Sequence, residues 1–179
     1  MSISIAEIDL AIAQTKNRPK PKTKKDLGKL QFLVEEDKAT GYFAEYIAKL
    51  KLNALKVYGT VEKPGMIKGK ERKKELTNLK KEITGKRKGQ FPFDLINETN
   101  TKFEAKGSTT LPEGTGRVNQ IRDRSHYDYL IFVFILKDDV KIFIAKSSLA
   151  LDRTFGINNG LTWSGTPNDL SKSSLWTEL

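Results

Sequence analysis

Residues Phe91 to Lys106 read FPFDLINETNTKFEAK, and their pattern indicates a small β-hairpin. Alternation with a period of two predicts two short strands, 91–96 and 101–106. The polar run Asn97 to Asn100 between them is typical of a turn. We therefore expect two antiparallel neighbours at the start of a sheet.

The register of this hairpin would bring charged side chains together. With a loop of three residues, 98–100, Asn97 faces Thr101 and Asp94 lies directly opposite Glu104. Directly opposed residues point to the same face about 5 Å apart, and Lys106 shares that face because it lies two residues beyond Glu104. An exposed hairpin with an ordinary salt bridge is the alternative interpretation.

Two adjacent carboxylates repel each other unless a cation lies between them. A site made only of oxygen atoms selects a hard divalent cation, Mg²⁺ or Mn²⁺. A lysine beside such a cation can orient or deprotonate a water, or stabilise negative charge on a phosphate oxygen. The hairpin therefore predicts metal-assisted hydrolysis of a phosphodiester.

The composition narrows the classes of protein. The 179 residues include 32 Lys and Arg, 22 Asp and Glu, one His and no Cys, for a net charge of +10. Disulfide frameworks, Cys-based zinc sites, cysteine nucleophiles and His-rich metal clusters are excluded, and the charge favours a polyanionic partner. No signal peptide or apolar run long enough to cross a bilayer is present, so we expect a cytoplasmic protein without a membrane partner.

The positive charge is concentrated in two blocks. Residues 16–25 contain six basic residues and two prolines, which indicates an extended, solvated segment. Residues 61–90 contain eleven basic and four acidic residues, and their middle part, 70–83, has helical spacing closed by Gly85. Either block is a solvated surface or a surface that binds phosphates. The candidate DNA-binding residues are Lys20, Lys22, Lys24, Lys25, Lys86, Arg87 and Lys88.

Helices are predicted mainly before the hairpin and strands after it. Helical spacing covers residues 5–15, 26–35 and a longer segment from the N-cap Thr40 to about Leu55. The apolar stripe of that longer helix is Phe43, Tyr46, Ile47, Leu50 and Ala54. After the hairpin we expect a loop at 107–116, a short helix at 117–125, a central strand at 127–136 and a further strand at 140–145.

Pro92-Phe-Asp94, nine intervening residues and Glu104-Ala-Lys106 together resemble the PD-(D/E)xK nuclease motif. That superfamily includes type II restriction endonucleases, Holliday-junction resolvases and repair nucleases. Gly41-Tyr-Phe-Ala-Glu45 resembles the first core helix of the family, and 127–133 resembles the core strand that follows its second helix. The resemblance covers about residues 40–146. It implies an α/β (α+β) fold, a restriction-endonuclease-like central mixed sheet flanked by helices. The residue pattern itself predicts the helical, basic N-terminal part, which the resemblance does not cover.

The resemblance also implies roles for individual residues. Asp94 and Glu104 would bind the catalytic Mg²⁺, for which Mn²⁺ could substitute, and Lys106 would assist the attacking water. Glu45 would complete the acidic cluster, whereas the helical pattern alone allows a surface carboxylate paired with Lys49. In the segment after the motif, Arg117, Gln120, Arg122 and Arg124 are candidate DNA contacts or solvated side chains.

We expect two parts. Residues 1–39 form an N-terminal helix and basic linker, a candidate DNA-binding or dimerisation arm, and residues 40–179 form a nuclease domain with a basic helical insertion at about 61–90. The expected function is Mg²⁺-dependent cleavage of double-stranded DNA by a type II restriction enzyme acting as a homodimer. The alternatives are a Holliday-junction or repair nuclease of the same fold and a non-catalytic DNA-binding module.

Overall fold

The computed structural model describes residues 39–86, 88–109, 114–137, 139–150, 154–157 and 160–179, together with Ala6 and Leu10. The helices of the described ranges are α1 (Ala39–Leu55), α2 (Lys70–Thr84) and α3 (Pro167–Ser171). The strands are β1 (Val61–Glu62), β2 (Leu95–Asn97), β3 (Lys102–Thr109), β4 (Gly116–Ile121), β5 (Tyr129–Leu136), β6 (Asp139–Lys146), β7 (Thr154–Ile157), β8 (Gly160–Gly165) and β9 (Thr177–Glu178).

A six-stranded mixed sheet forms the centre of the fold. Its strand order is β1-β2-β3-β5-β6-β9, and β3 and β5 are parallel whereas the other neighbouring pairs are antiparallel. Helix α1 packs on one face through Phe43 and Ile47. A three-stranded sheet, β4-β8-β7, and helix α2 lie on the other face. The expected mixed α/β architecture is thus confirmed, with a sheet that is mostly antiparallel and with few helices.

The central strand predicted at 127–136 is confirmed as β5. Ile131 and Val133 point into the core beneath α1, whereas Phe132 and Phe134 point into the opposite core beside Trp163. Both sets of side chains are buried, so the strand has no polar face to place in water. The strand predicted at 140–145 is confirmed as β6, which pairs with β5 along its length.

The predicted hairpin register is also confirmed. Leu95 pairs with Phe103 and Ile96 pairs with Lys102, which places Asp94 opposite Glu104. The Asn97 side chain fixes the turn, because its Oδ1 accepts hydrogen bonds from Thr99 N at 3.0 Å and Thr101 N at 2.8 Å. The first strand is shorter than predicted, since β2 begins at Leu95, while the second continues to Thr109 into the expected loop.

The prediction of a helix at 117–125 is wrong. Residues 116–121 form β4, which pairs with β8, and only Arg124–His126 form a short 3-10 helix. Val118 and Ile121 bury their side chains, and a bulge lies between them at Gln120, whose φ is +55°. Pairing with a strand about forty residues away therefore outweighs the local preference for helix, and the bulge explains the broken period of two.

The long helix predicted from Thr40 is confirmed in extent but not in detail. Thr40 lies inside α1, which includes Ala39, so it does not precede the helix as an N-cap. The buried face contains Ala44, Ala48 and Leu52, whereas Ala54 is exposed. The buried face is rotated relative to the predicted stripe because small alanines allow the helix to lie close to the sheet.

The basic block 61–90, predicted as a helical insertion, contributes both a strand and a helix to the packed fold. Strand β1 extends the central sheet, and α2 buries Leu76 against the second core. The predicted helix at 70–83 is confirmed, and Gly85 ends it in the left-handed conformation with φ +70°. The first block lies outside the described residues, as do 26–35 and most of 5–15, where Ala6 and Leu10 are helical. Among the described residues, no helix has both the length and the apolar character to span a membrane.

At Gly107, β3 lies close to α1, and replacing this glycine tests the packing. A Cβ at Gly107 would lie 2.8 Å from Thr40 O and 2.9 Å from Ala44 Cβ. We expect Gly107→Ala to lower the free energy of unfolding by about 1–3 kcal/mol, because backbone must move to admit the methyl group. Urea denaturation measures the change.

Gly41→Ala is the matched control. No atom of the described residues lies within 4 Å of a Cβ built at Gly41 in α1. This variant should be more stable than the native chain by up to about 1 kcal/mol, since alanine favours helix over glycine. Equal stability of Gly107→Ala and the native chain would contradict the close packing described here.

Candidate active site

Asp94 and Glu104 form a buried acidic pair across the hairpin. Glu104 is fully buried in β3, and Asp94, directly before β2, is 9% exposed. The backbone holds Asp94 in place, because its N donates to Phe103 O at 3.0 Å and its Oδ2 accepts from Ala105 N at 3.0 Å. The pair is therefore not the exposed hairpin salt bridge of the alternative interpretation.

Arg122 lies between the two carboxylates. Its Nη1 is 2.6 Å from Asp94 Oδ1 and 2.5 Å from Glu104 Oε2. Burial alone lowers the pKa of Arg122, but the two neighbouring carboxylates raise it above its usual range. Tyr127, just before β5, donates a hydrogen bond from its hydroxyl to Arg122 O at 3.2 Å, which anchors the backbone from which the guanidinium extends. Arg122 was predicted only as a DNA contact or a solvated side chain.

Lys106 follows Glu104 on the same face of β3, as predicted. Its Nζ lies 2.7 Å from Glu104 Oε1, so the two oxygens of Glu104 face two different cations. Burial and then the charge of Asp94 nevertheless raise the pKa of Glu104 to about 7, although Lys106 and Arg122 act in the opposite direction. Removing this carboxylate from water costs more free energy than its partners restore.

Glu45 of α1 lies near the pair but has its own partner. It forms an ion pair with Lys63, whereas Lys49 pairs with Glu62 at 2.6 Å, so the alternative interpretation of a surface Glu45 paired with Lys49 does not hold. Burial and then Asp94 raise the pKa of Glu45, which indicates that the two carboxylates sense each other's charge. Whether Glu45 binds metal stays a prediction.

A cavity of about 390 Å³ opens in front of these groups. Glu45, Asp94 and Arg122 line it on one side, and Lys63 lies on its wall. Its other lining residues are mainly apolar or neutral: Tyr42, Pro64, Gly65, Met66, Gln90, Phe91 and Phe93. The cavity therefore gives solvent a route to Asp94 and Arg122, although Glu104 itself is fully buried.

The donor set fits a magnesium ion of the kind that retains several waters. Asp94 Oδ1 and Glu104 Oε2 converge on one position, which Arg122 Nη1 now occupies. Mg²⁺ is commonly bound through one or two carboxylates with water completing its shell. No group of three His, Cys, Asp or Glu side chains in the described ranges is arranged to hold a metal. The geometry thus brings together two of the three predicted ligands.

The remaining predicted DNA-binding residues divide into two groups. Lys86 and Lys88 are exposed after α2, and Arg117, Gln120 and Arg124 are exposed on or after β4. Lys20, Lys22, Lys24, Lys25 and Arg87 lie outside the described residues. Unlike Arg122, the exposed residues of the first group do not contact the acidic pair, so they stay candidates for contact with phosphates.

Sequence reasoning missed Lys63 and the position of Arg122. Lys63 lies in the basic block, where nothing distinguishes it from its neighbours, and it meets Glu45 only because β1 joins the sheet. Arg122 follows Glu104 by eighteen residues and was assigned to a helix. If β4 had been recognised as a strand, Arg122 could have been placed near the hairpin.

Comparison of the chain with protein-family models and with curated protein sequences finds no match.

The raised pKa of Glu104 predicts how stability depends on pH. A pKa raised from 4.5 to about 7 on folding means that the folded chain favours the neutral carboxyl. This contribution to stability is complete below about pH 4.5 and is lost as the pH rises through about 7. We expect the native chain, relative to Glu104→Gln, to lose about 3 kcal/mol of unfolding free energy between pH 4.5 and 8.

Urea denaturation of the metal-free protein at both pH values measures this difference. The amide of Glu104→Gln stays neutral throughout, so its stability should depend less on pH. Glu82→Gln, on the exposed side of α2, should change with pH as the native chain does. Parallel pH profiles for the native chain and Glu104→Gln would contradict the assignment.

Proposed function

We propose that this chain is a Mg²⁺-dependent DNA endonuclease of the PD-(D/E)xK type. The observation that supports this best is the convergence of Asp94 and Glu104 on one cation position, with Lys106 beside Glu104. The three residues have the spacing of the motif, with Asp94 directly before β2 and Glu104 and Lys106 in the adjacent strand β3 of a mixed sheet. The excess of positive charge supports DNA as the substrate.

Each residue has a separate part in hydrolysis. Asp94 and Glu104 would hold the cation, and the hydrogen bond from Ala105 N keeps Asp94 in position. When bound there, Mg²⁺ would polarise the phosphate and lower the pKa of a bound water. Lys106 would orient the attacking water or stabilise charge on a phosphate oxygen by donating hydrogen bonds. The oxygen of water bonds to phosphorus as one phosphorus–oxygen ester bond breaks, leaving a phosphate monoester and an alcohol.

A type II restriction enzyme acting as a homodimer is the form that we favour. Cutting both strands of a duplex requires two sites, and one chain supplies one acidic pair in its described part. A Holliday-junction or repair nuclease would use the same residues. Discrete fragments from long linear DNA would support a restriction enzyme, whereas preference for a four-way junction over a linear duplex would support a resolvase.

A non-catalytic DNA-binding module is the alternative from another class. It is favoured by Arg122, which already bridges the acidic pair without a metal. Binding of DNA without cleavage under Mg²⁺ or Mn²⁺ would support the module and contradict the nuclease.

Cleavage of plasmid DNA tests the metal ligands. The native chain should cut with Mg²⁺ and fail with EDTA. Asp94→Asn, Glu104→Gln and Lys106→Gln should each lower the rate by at least about a hundredfold, because each removes charge from the reacting centre while preserving shape. DNA binding in EDTA, measured by fluorescence anisotropy, should persist in all three variants.

Glu45→Gln and Glu82→Gln complete that experiment. A loss in Glu45→Gln comparable to that in Asp94→Asn would identify Glu45 as a third ligand, and Glu82→Gln should cut like the native chain. Native rates in Asp94→Asn would contradict the proposed site.

The lysines of the first basic block provide a separate prediction about binding. Replacing Lys20, Lys22, Lys24 and Lys25 together with Gln should weaken binding equally on duplexes of different sequence. The slope of log K against log salt should fall by up to about 3.6, the value for four lost phosphate contacts. Anisotropy titrations on two unrelated duplexes at several salt concentrations measure both quantities. A changed preference between the duplexes would instead indicate that this segment contacts bases.

A further inference from the structure

Arg122 and a divalent cation cannot share the acidic pair as it stands. The guanidinium contacts one oxygen of Asp94 and one of Glu104, the same two atoms that would converge on the ion. An ion at about 2.1 Å from these oxygens would place a second positive charge against Nη1. One of the two cations must therefore leave when the other binds.

The charges around the site make Arg122 the group that opposes a metal. Three carboxylates, Glu45, Asp94 and Glu104, meet three cations, Lys63, Lys106 and Arg122, so the formal charges cancel when all three carboxylates are ionised. A divalent ion would enter a neutral cluster and gain little net attraction. With Arg122 withdrawn, the same cluster carries one negative charge and attracts the ion.

The cavity beside Arg122 has room for its side chain to move outward. Its side chain is 30% exposed and lines the cavity of about 390 Å³, while Tyr127 holds its carbonyl. The backbone can therefore stay fixed while the long side chain swings outward. A guanidinium pairs well with a phosphate, often through two parallel hydrogen bonds.

We propose that Arg122 is an internal cation that keeps the acidic pair closed to metal until a DNA phosphate draws the guanidinium into the cavity. The inference rests on the proposed function, because it takes the acidic pair as the metal site and DNA as the source of the phosphate. Arg122 is then a positioning residue that couples two binding events. Phosphate and metal promote each other's binding by the same factor, since coupling between sites is reciprocal.

Calcium binding in the absence of DNA tests the first half of this inference. Isothermal titration with Ca²⁺ would compare the native chain with Arg122→Gln, Arg122→Lys and Arg117→Gln. Arg122→Gln should bind Ca²⁺ at least about tenfold more tightly, the size of a typical coupling between sites. Arg122→Lys, which keeps the charge, and Arg117→Gln, which loses an exposed arginine of β4, should stay close to the native affinity. Equal or weaker binding by Arg122→Gln, or no binding by either protein, would overturn the proposal.

The native chain tests the second half without any substitution. Its Ca²⁺ affinity should rise when a short duplex is present, and this effect should be much smaller in Arg122→Gln. If Arg122→Gln does not fold, the native titration decides alone, and a duplex that leaves the Ca²⁺ affinity unchanged would overturn the coupling.

The outcomes separate this inference from the proposed nuclease. Cleavage by the native chain, with unchanged Ca²⁺ affinity in Arg122→Gln, would reject the role of Arg122 and retain the nuclease. Tighter Ca²⁺ binding by Arg122→Gln that is lost on adding Asp94→Asn, without cleavage under any divalent ion, would retain the role of Arg122 and reject the nuclease.

Discussion

Two buried carboxylates that repel each other govern the arrangement around them. Asp94 and Glu104 are both withdrawn from water, where a charge without a partner costs several kcal/mol. Arg122 bridges them and Lys106 pairs with the second oxygen of Glu104. These contacts do not fully offset the cost of burial, and the pKa of Glu104 is therefore still raised.

The fold brings these groups together through two separate connections. The Asn97 turn sets the register that places Asp94 opposite Glu104. The parallel pairing of β3 with β5 requires a long connection, and the chain uses it to form β4 on the other face of the sheet. Arg122 follows β4 and returns to the hairpin. Arg122 therefore reaches the acidic pair because it lies in the connection that the parallel pairing of β3 and β5 requires.

Local pattern predicted much of this correctly. The hairpin register, the central strand and α2 depend on neighbours in sequence, such as the turn at Asn97 and the helix-ending Gly85, and each was confirmed. The prediction of a helix at 117–125 was wrong because the conformation of this segment depends on pairing with β8. The buried face of α1 was misplaced because small alanines, which carry little hydrophobic signal, lie against the sheet.

The amino-acid sequence alone determines the acidic pair, its lysine and the face that they share. The reason is that a strand alternates with a fixed period of two and a three-residue turn allows one register. The partner of each carboxylate comes from tertiary structure. Arg122 meets Asp94 and Glu104, and Lys63 meets Glu45, across contacts between segments distant in sequence. Charge–charge pairs of this kind depend on distance in space, about which the spacing of residues along the chain carries no information.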